Sequence, residues 1–277
     1  MHARVLATDR PEELGPQDYV FICLKQHQVV PALDGIASLL SDSTVLIPPT
    51  TGIPYWYCHG LGGRFDDMRI EGIDPGGLLW RRLPPERVLG CVFWLPVEVQ
   101  EPGVVRHDGE MASLPLGEPD GSRSPRLTAL ADAMSRAGLH APVVDDIRTS
   151  LWMKMISSLV WNPVAALTLA TLGEIGQYPG VVDIVRRMMA EADAVAGAFG
   201  VRDMPWTFEQ RVSLALQQRD HKMSMLQDVE RGRPLEVDTI LDSIVAMRDL
   251  CGEPTPTIDT VYALLKLRAE KLILSGS

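Results

Sequence analysis

Tyr19-Val20-Phe21-Ile22-Cys23-Leu24 is a continuous apolar run without alternation, and Thr44-Val45-Leu46-Ile47 is a second. Runs of that kind predict strands buried on both faces of a parallel sheet. Between them Val29, Val30, Leu33, Ile36, Ala37 and Leu40 recur at helical spacing, so strand, helix and strand follow one another within about thirty residues. This βαβ pattern places the first half of the chain in the α/β class. Working outward, Val88 to Leu95 predicts a third strand, with weaker strand signals at Gly103–Arg106 and Met111–Leu116. Leu127, Leu130, Ala131 and Met134 line one face of a helix over Pro125–Ala137, with Gly138 as its stop.

After Asp145-Asp146 the strand signals vanish. Either aspartate can cap a helix running to about Trp161, and further helical patterns occupy 180–199, 206–231, 235–250 and 256–273. Pro179-Gly180, Gly200, Gly232-Arg233-Pro234 and Gly252-Glu253-Pro254 punctuate them where helices should stop. The expected organisation is an α/β domain over 1–145 followed by an all-helical domain over 146–277.

Composition narrows the function. A chain of 277 residues with 46% apolar and 22% charged side chains can bury about three quarters of its surface, so it needs no disulfide or metal staple. The net charge of −10, with no basic run longer than a pair such as Arg81-Arg82, argues against a nucleic-acid partner. The four cysteines lack CxxC spacing, and Met1-His2-Ala3-Arg4 leads into Asp9 and Glu12 rather than an apolar segment. Both features point to a reducing, cytoplasmic setting. Met155 to Gly173 carries no charge, but Ser157, Ser158, Asn162, Pro163, Thr168 and Thr171 interrupt it, so it reads as a buried core helix and not a membrane span.

Among groups that could do chemistry, the six histidines form no HxxxH or HExxH pair, and no GxSxG elbow or SxxK pair supports a serine nucleophile. No metal site is expected. Gly60-Leu61-Gly62-Gly63 lacks the spacing of a phosphate loop and reads as a turn. Lys154 stands alone in Leu151-Trp152-Met153-Lys154-Met155-Ile156, with Ser158 at i+4 and Asn162 at i+8. Members of this stripe sit about 6 Å apart along a helix axis, so a small polar ligand could lie along it with an ammonium at one end and an amide at the other. A desolvated lysine is a usable acid near neutral pH. The alternative is a lysine that snorkels from an amphipathic helix. Glu236 follows Gly232-Arg233-Pro234-Leu235 at a helix start, where an acid also suits the dipole, and Ser224 lies in a Met-rich turn that packing alone would explain. Lys25 and Thr50-Thr51-Gly52 end the first and second strands, the rim at which ligands approach an open α/β sheet, or else a solvated charge and a plain turn.

Leu151-Trp-Met-Lys154, Asn162-Pro163-Val-Ala-Ala-Leu-Thr, Ser224-Met-Leu-Gln-Asp228 and Arg233-Pro-Leu-Glu236-Val-Asp238, in that order, resemble the ketopantoate reductase (2-dehydropantoate 2-reductase) family. The likeness runs from about Asp18 to about Leu267. It implies a Rossmann-type NADPH-binding domain, partial here, and a helical domain that closes over a 2-oxo acid, with a homodimer possible through the helices. It implies Lys154 as the general acid, Asn162, Ser158 and Ser224 on the substrate, Lys25 and Thr51 on the cofactor, and Glu236 beside both as a catalytic residue. The family's opening strand and GxGxxG turn have no counterpart before Asp18. Thr51 and Ser158 stand where the family usually has asparagine, and Leu172 where some members have another. These departures leave two readings: an NADPH-dependent 2-oxo acid reductase, acting on ketopantoate or on a bulkier relative, or a truncated, non-catalytic homologue serving as a helical dimerisation or small-acid-binding module.

Overall fold

The computed structural model describes residues 5–48, 52–95, 97–107, 112–202, 204–235 and 237–275. The chain divides into two compact units, one made of 1–50, 54–69 and 74–147, the other of 51–53, 70–73 and 148–277.

In the first unit the βαβ pattern is present. β1 (Tyr19–Phe21) pairs in parallel with β2 (Val45–Ile47), and α1 (Gln26–Ala37) crosses between them. The α1 N-terminus is closed by Gln28, whose Oε1 accepts the Lys25 N–H at 3.0 Å. α2 (Leu78–Arg82) follows, its Leu79 and Trp80 N–H groups donating to the buried carboxylate of Asp74. The sheet then continues through short pieces. Val88 bridges Leu46 in parallel, β3 (Gly90–Cys91) pairs antiparallel with β6 (Leu116–Gly117), and Leu116 bridges Val143 in parallel. Between β3 and β6 the chain makes a hairpin of β4 (Val97–Glu101) and β5 (Val104–His107), whose Val97, Val99, Val104 and Val105 are exposed.

Below this sheet lies α3 (Pro125–Arg136), started by the Ser124 side chain, which accepts the Leu127 N–H. Its Leu127, Leu130 and Met134 form one apolar cluster with Val45, Ile47, Leu89, Cys91, Leu114 and Leu116. Burying each such side chain contributes about 1.5–3 kcal/mol. The strand at 19–24 departs from its expected burial on both faces. Val20 and Ile22 are buried, whereas Phe21 is 37% exposed and Cys23 is exposed. Tyr19 packs against the α3 cluster and donates its hydroxyl to the Arg126 carbonyl on that helix, whereas Phe21 is not part of the cluster and meets Phe93, at its margin, edge to face. The third strand is likewise shorter than Val88–Leu95, and Met111 lies outside the described residues.

The second unit is helical. α4 (Ile147–Thr168), counted from Arg148 in this unit, runs on past Trp161 although Pro163 sits inside it. Proline lacks an N–H, which removes one intrahelical bond. That local loss is outweighed by burial of Trp161, Val164, Ala165 and Ala166 around it. α5 (Leu172–Gly176), α6 (Pro179–Ala198), α7 (Phe208–Gln217), α8 (Ser224–Glu230), α9 (Ser243–Cys251) and α10 (Pro256–Ser275) follow. The single helix expected over 206–231 is two helices separated by 218–223, and that over 235–250 begins with a π-helical turn, Asp238–Asp242. No helix of the described residues is long and apolar enough to cross a membrane.

One cap in this unit is supplied across helices. The Glu191 carboxylate of α6 accepts the Thr257 and Ile258 N–H groups, both at 2.9 Å, at the start of α10. A charge-assisted cap of this kind contributes about 1–2 kcal/mol. Glu191→Ala is therefore expected to lower the thermal midpoint by about 2–8 °C, given a shift of roughly 2–4 °C per kcal/mol for domains of this size. A midpoint unchanged in a calorimetric scan would show that α10 is held by its apolar face alone.

Candidate active site

The polar stripe read from the sequence lies on α4. Lys154 and Ser158 are half-buried and Asn162 is 3% exposed, on a helix whose Leu151, Trp152, Met155, Ile156, Leu159 and Val160 are all buried. Three polar side chains therefore share one face of a helix whose middle is packed with apolar side chains, and a buried polar group there needs a partner.

Asn162 has found one. Its Oδ1 accepts both the Ser224 hydroxyl and the Met225 N–H, each at 3.2 Å. Ser224 and Met225 are the first two residues of α8, so the carboxamide acts as an N-terminal cap supplied from another helix. The carbonyl end of the amide is thus engaged, and its NH2 end is the part left to address a ligand. Ser224 itself is exposed. The fold brings Asn162 and Ser224 into contact from 62 residues apart in the chain.

The segment leading into α8 is held in turn by α5. Thr171 Oγ1 accepts the Glu174 N–H and the Glu174 carboxylate accepts the Thr171 N–H, a reciprocal cap. The next two N–H groups of that turn go elsewhere: Leu172 donates to the His221 carbonyl at 3.2 Å and Gly173 to the Arg219 carbonyl at 2.8 Å. These contacts were not expected from sequence. The Thr171-Leu-Gly-Glu174 capping pattern was the signal that could have revealed α5.

In the first unit, Lys25 is exposed at the end of β1, just ahead of α1. Beside it, Gln26, Val29, Pro48, Tyr55, Leu79 and Leu83 line a narrow crevice of about 10 Å³, room for one water, at the carboxyl ends of β1 and β2. The Tyr55 hydroxyl donates to the Leu83 carbonyl at 2.6 Å, and burial pushes that phenol well above its ordinary value. Thr51 and Glu236 lie outside the described residues. Gly60-Leu61-Gly62-Gly63 forms part of a closed loop in which the Cys58 carbonyl accepts the Asp67 N–H and Asp66 Oδ1 accepts the Gly62 N–H. Among the described residues no group of His, Cys, Asp and Glu side chains has the arrangement of a metal site.

Residues 146–269 match the family model of the ketopantoate reductase PanE/ApbA C-terminal domain. A 2-dehydropantoate 2-reductase from Mesorhizobium japonicum is 46% identical over 265 residues, covering 95% of this chain and 80% of that protein. The chain belongs to the ketopantoate reductase family. Solved ketopantoate reductase structures agree with the fold described above. A homologue from Ralstonia solanacearum superposes with a TM-score of 0.89 at 34% identity, over 96% of this chain and 81% of that one. The 2-dehydropantoate 2-reductase of Geobacter metallireducens gives a TM-score of 0.79 at 25% identity, over 94% of this chain and 80% of its own.

Proposed function

We propose that this protein reduces a 2-oxo acid to the 2-hydroxy acid with NADPH, as a 2-dehydropantoate 2-reductase, with Lys154 as the proton donor. The observation that carries this reading is the polar face of α4, where Lys154, Ser158 and Asn162 follow one another at single-turn spacing between the buried side chains of Leu151, Trp152, Met155, Ile156, Leu159 and Val160. The cofactor part rests on the first unit. The carboxyl ends of parallel strands are the rim at which a dinucleotide approaches an open α/β sheet, and the Lys25 ammonium exposed at that rim suits an anionic group on it. Thr51 belongs to the proposed cofactor rim by its place after β2. The family resemblance adds Glu236 near both ligands.

When bound, the nicotinamide supplies the hydride. The chain supplies the rest. The Asn162 NH2 group and the Ser224 hydroxyl hold the substrate carboxylate; the hydroxyl rotates from Asn162 Oδ1 to do so. Ser158 offers a further hydroxyl one turn along. The Lys154 ammonium transfers its proton to the carbonyl oxygen as negative charge grows there, and it recovers that proton from water. Before transfer its positive charge stabilises the developing alkoxide.

The test is calorimetric titration of NADPH into the folded 277-residue chain, followed by NADPH oxidation with ketopantoate and bulkier 2-oxo acids. Binding that weakens at least about tenfold in Lys25→Ala, with turnover on one of these acids, is expected from a positioned ionic contact. A folded chain that binds no NADPH would favour the competing reading of a non-catalytic module.

A further inference from the structure

We infer that Gly173 is a positioning residue for the substrate site: by bringing residues 218–223 onto the first turn of α5, it fixes Ser224 against Asn162. The inference rests on the proposed role of Asn162 and Ser224 in holding the 2-oxo acid.

Residues 218–223 carry no glycine or proline, and nothing local obliges the helix to break there. What holds the break open is a pair of backbone hydrogen bonds, from Leu172 to the His221 carbonyl and from Gly173 to the Arg219 carbonyl. With the carbonyls of 219 and 221 turned toward α5, the segment departs from the geometry of a continuous α7–α8 helix. The segment thus acts as a strap, tied to α5 at one end and delivering Ser224 and Met225 to Asn162 Oδ1 at the other.

Two features show that the tie depends on Gly173. A Cβ at this position would sit 2.7 Å from the Arg219 carbonyl oxygen and 3.0 Å from its Cα, and both are backbone atoms that cannot swing aside. Behind the strap, Thr171, Gly173, Gly176, Leu216, Arg219 and Asp220 line a cleft of about 420 Å³. The strap's side-chain contacts at Lys222 run to α8 itself, where Gln227 donates to the Lys222 carbonyl at 2.9 Å and Glu230 pairs with its ammonium, so they move with α8, whereas the α5 ties anchor the strap to a different helix. A side chain at 173 therefore pushes the strap off α5 and carries Ser224 with it.

Gly176 provides the control. It lies on the same short helix and lines the same cleft, yet the atoms nearest its Cβ would be those of the flexible Leu216 side chain, the first 3.1 Å away at Cδ2. Thr171→Ala gives a milder variant, which loosens the α5 cap without placing an atom against the strap.

The experiment is steady-state kinetics of the full chain and of Gly173→Ala, Thr171→Ala and Gly176→Ala, with hydrogen exchange over residues 218–230. For Gly173→Ala, KM for the 2-oxo acid is expected to rise about tenfold or more, with kcat and KM for NADPH within about twofold, the pattern of lost uniform substrate binding. Thr171→Ala should move KM the same way by about two- to fivefold, and Gly176→Ala should leave it unchanged. Exchange at the start of α8 should quicken in Gly173→Ala alone or most strongly there. If Gly173→Ala does not fold, the Thr171→Ala shift decides the matter. An active wild type whose KM is indifferent to Gly173→Ala, or equally raised by Gly176→Ala, overturns the strap alone. A wild type that neither binds nor reduces any 2-oxo acid overturns the reductase reading, and this inference with it.

Discussion

Lys154→Met is expected to lower kcat for 2-oxo acid reduction by at least about a hundredfold, the usual floor for a positioned general acid. Methionine keeps the length and apolar stem of lysine, so the buried neighbours Trp152, Met153, Met155 and Ile156 need not repack. What is lost is one transferable proton and the positive charge facing the forming alkoxide. Both act in the transition state more than in the ground state, so kcat and kcat/KM should fall together. Lys154→Arg separates the two contributions. Arginine retains the charge but does not give up its proton in a protein, so it should recover only the electrostatic part. Turnover unchanged in Lys154→Met would remove the assignment of this lysine, whatever else the chain does.

The second large effect concerns stability. Arg126→Met is expected to destabilise the first unit by about 2 kcal/mol, below the range for a fully buried ion pair because the arginine itself is partly exposed while Glu118 is buried. Glu118 is 4% exposed and receives Arg126 in a two-pronged contact, Nε to Oε1 at 2.8 Å and Nη2 to Oε2 at 2.6 Å. The same guanidinium donates to the Glu86 carbonyl at 2.8 Å and to the Val88 carbonyl at 3.3 Å, and so ties the start of α3 to the sheet. Ser124 still donates to Glu118 after the substitution, which softens the loss without replacing a charge. The double variant Glu118→Leu with Arg126→Met removes the stranded carboxylate as well, and should regain most of the stability. Thermal unfolding of the two variants side by side tests this. A double variant as unstable as the single one would mean that the ties to Glu86 and Val88, not the ion pair, carry the effect.

What the sequence made legible follows from which signals are local. The βαβ unit at 19–47 could be read because two apolar runs and one helical stripe each carry their own periodicity. The Lys154, Ser158 and Asn162 stripe could be read because helical spacing alone places them on one face. The β4 strand was missed although Val97-Glu98-Val99-Gln100-Glu101 alternates, since it follows directly on a longer apolar run. The end of α4 was placed too early because Pro163 weakens a helix locally, while the burial that sustains it comes from the rest of the unit. The break at 218–223 was invisible for the opposite reason. Its residues include no glycine or proline to mark a stop, and the bonds that turn two of its carbonyls toward α5 come from residues nearly fifty positions earlier in the chain. With the break unseen, the meeting of Ser224 and Asn162 could come only from family resemblance, because their contact depends on where α8 begins.

The division of the chain also bears on the order in which this protein assembles during synthesis. Residues 51–53 and 70–73 are made early, yet they belong to the helical unit, and Gly72 lies where even an added methyl would come within 2.9 Å of the Ala246 side chain on α9. Until the helical unit has been made, Ile53, Ile70 and Ile73, all buried in the folded chain, lack the unit to which they belong. Contacts of such sequence separation are slow to close and leave apolar chain exposed meanwhile. A nascent chain halted before residue 246 should therefore be held by chaperones or aggregate, and a fragment beginning at 148 should inherit the complementary scar, an α9 face without its early-made cover.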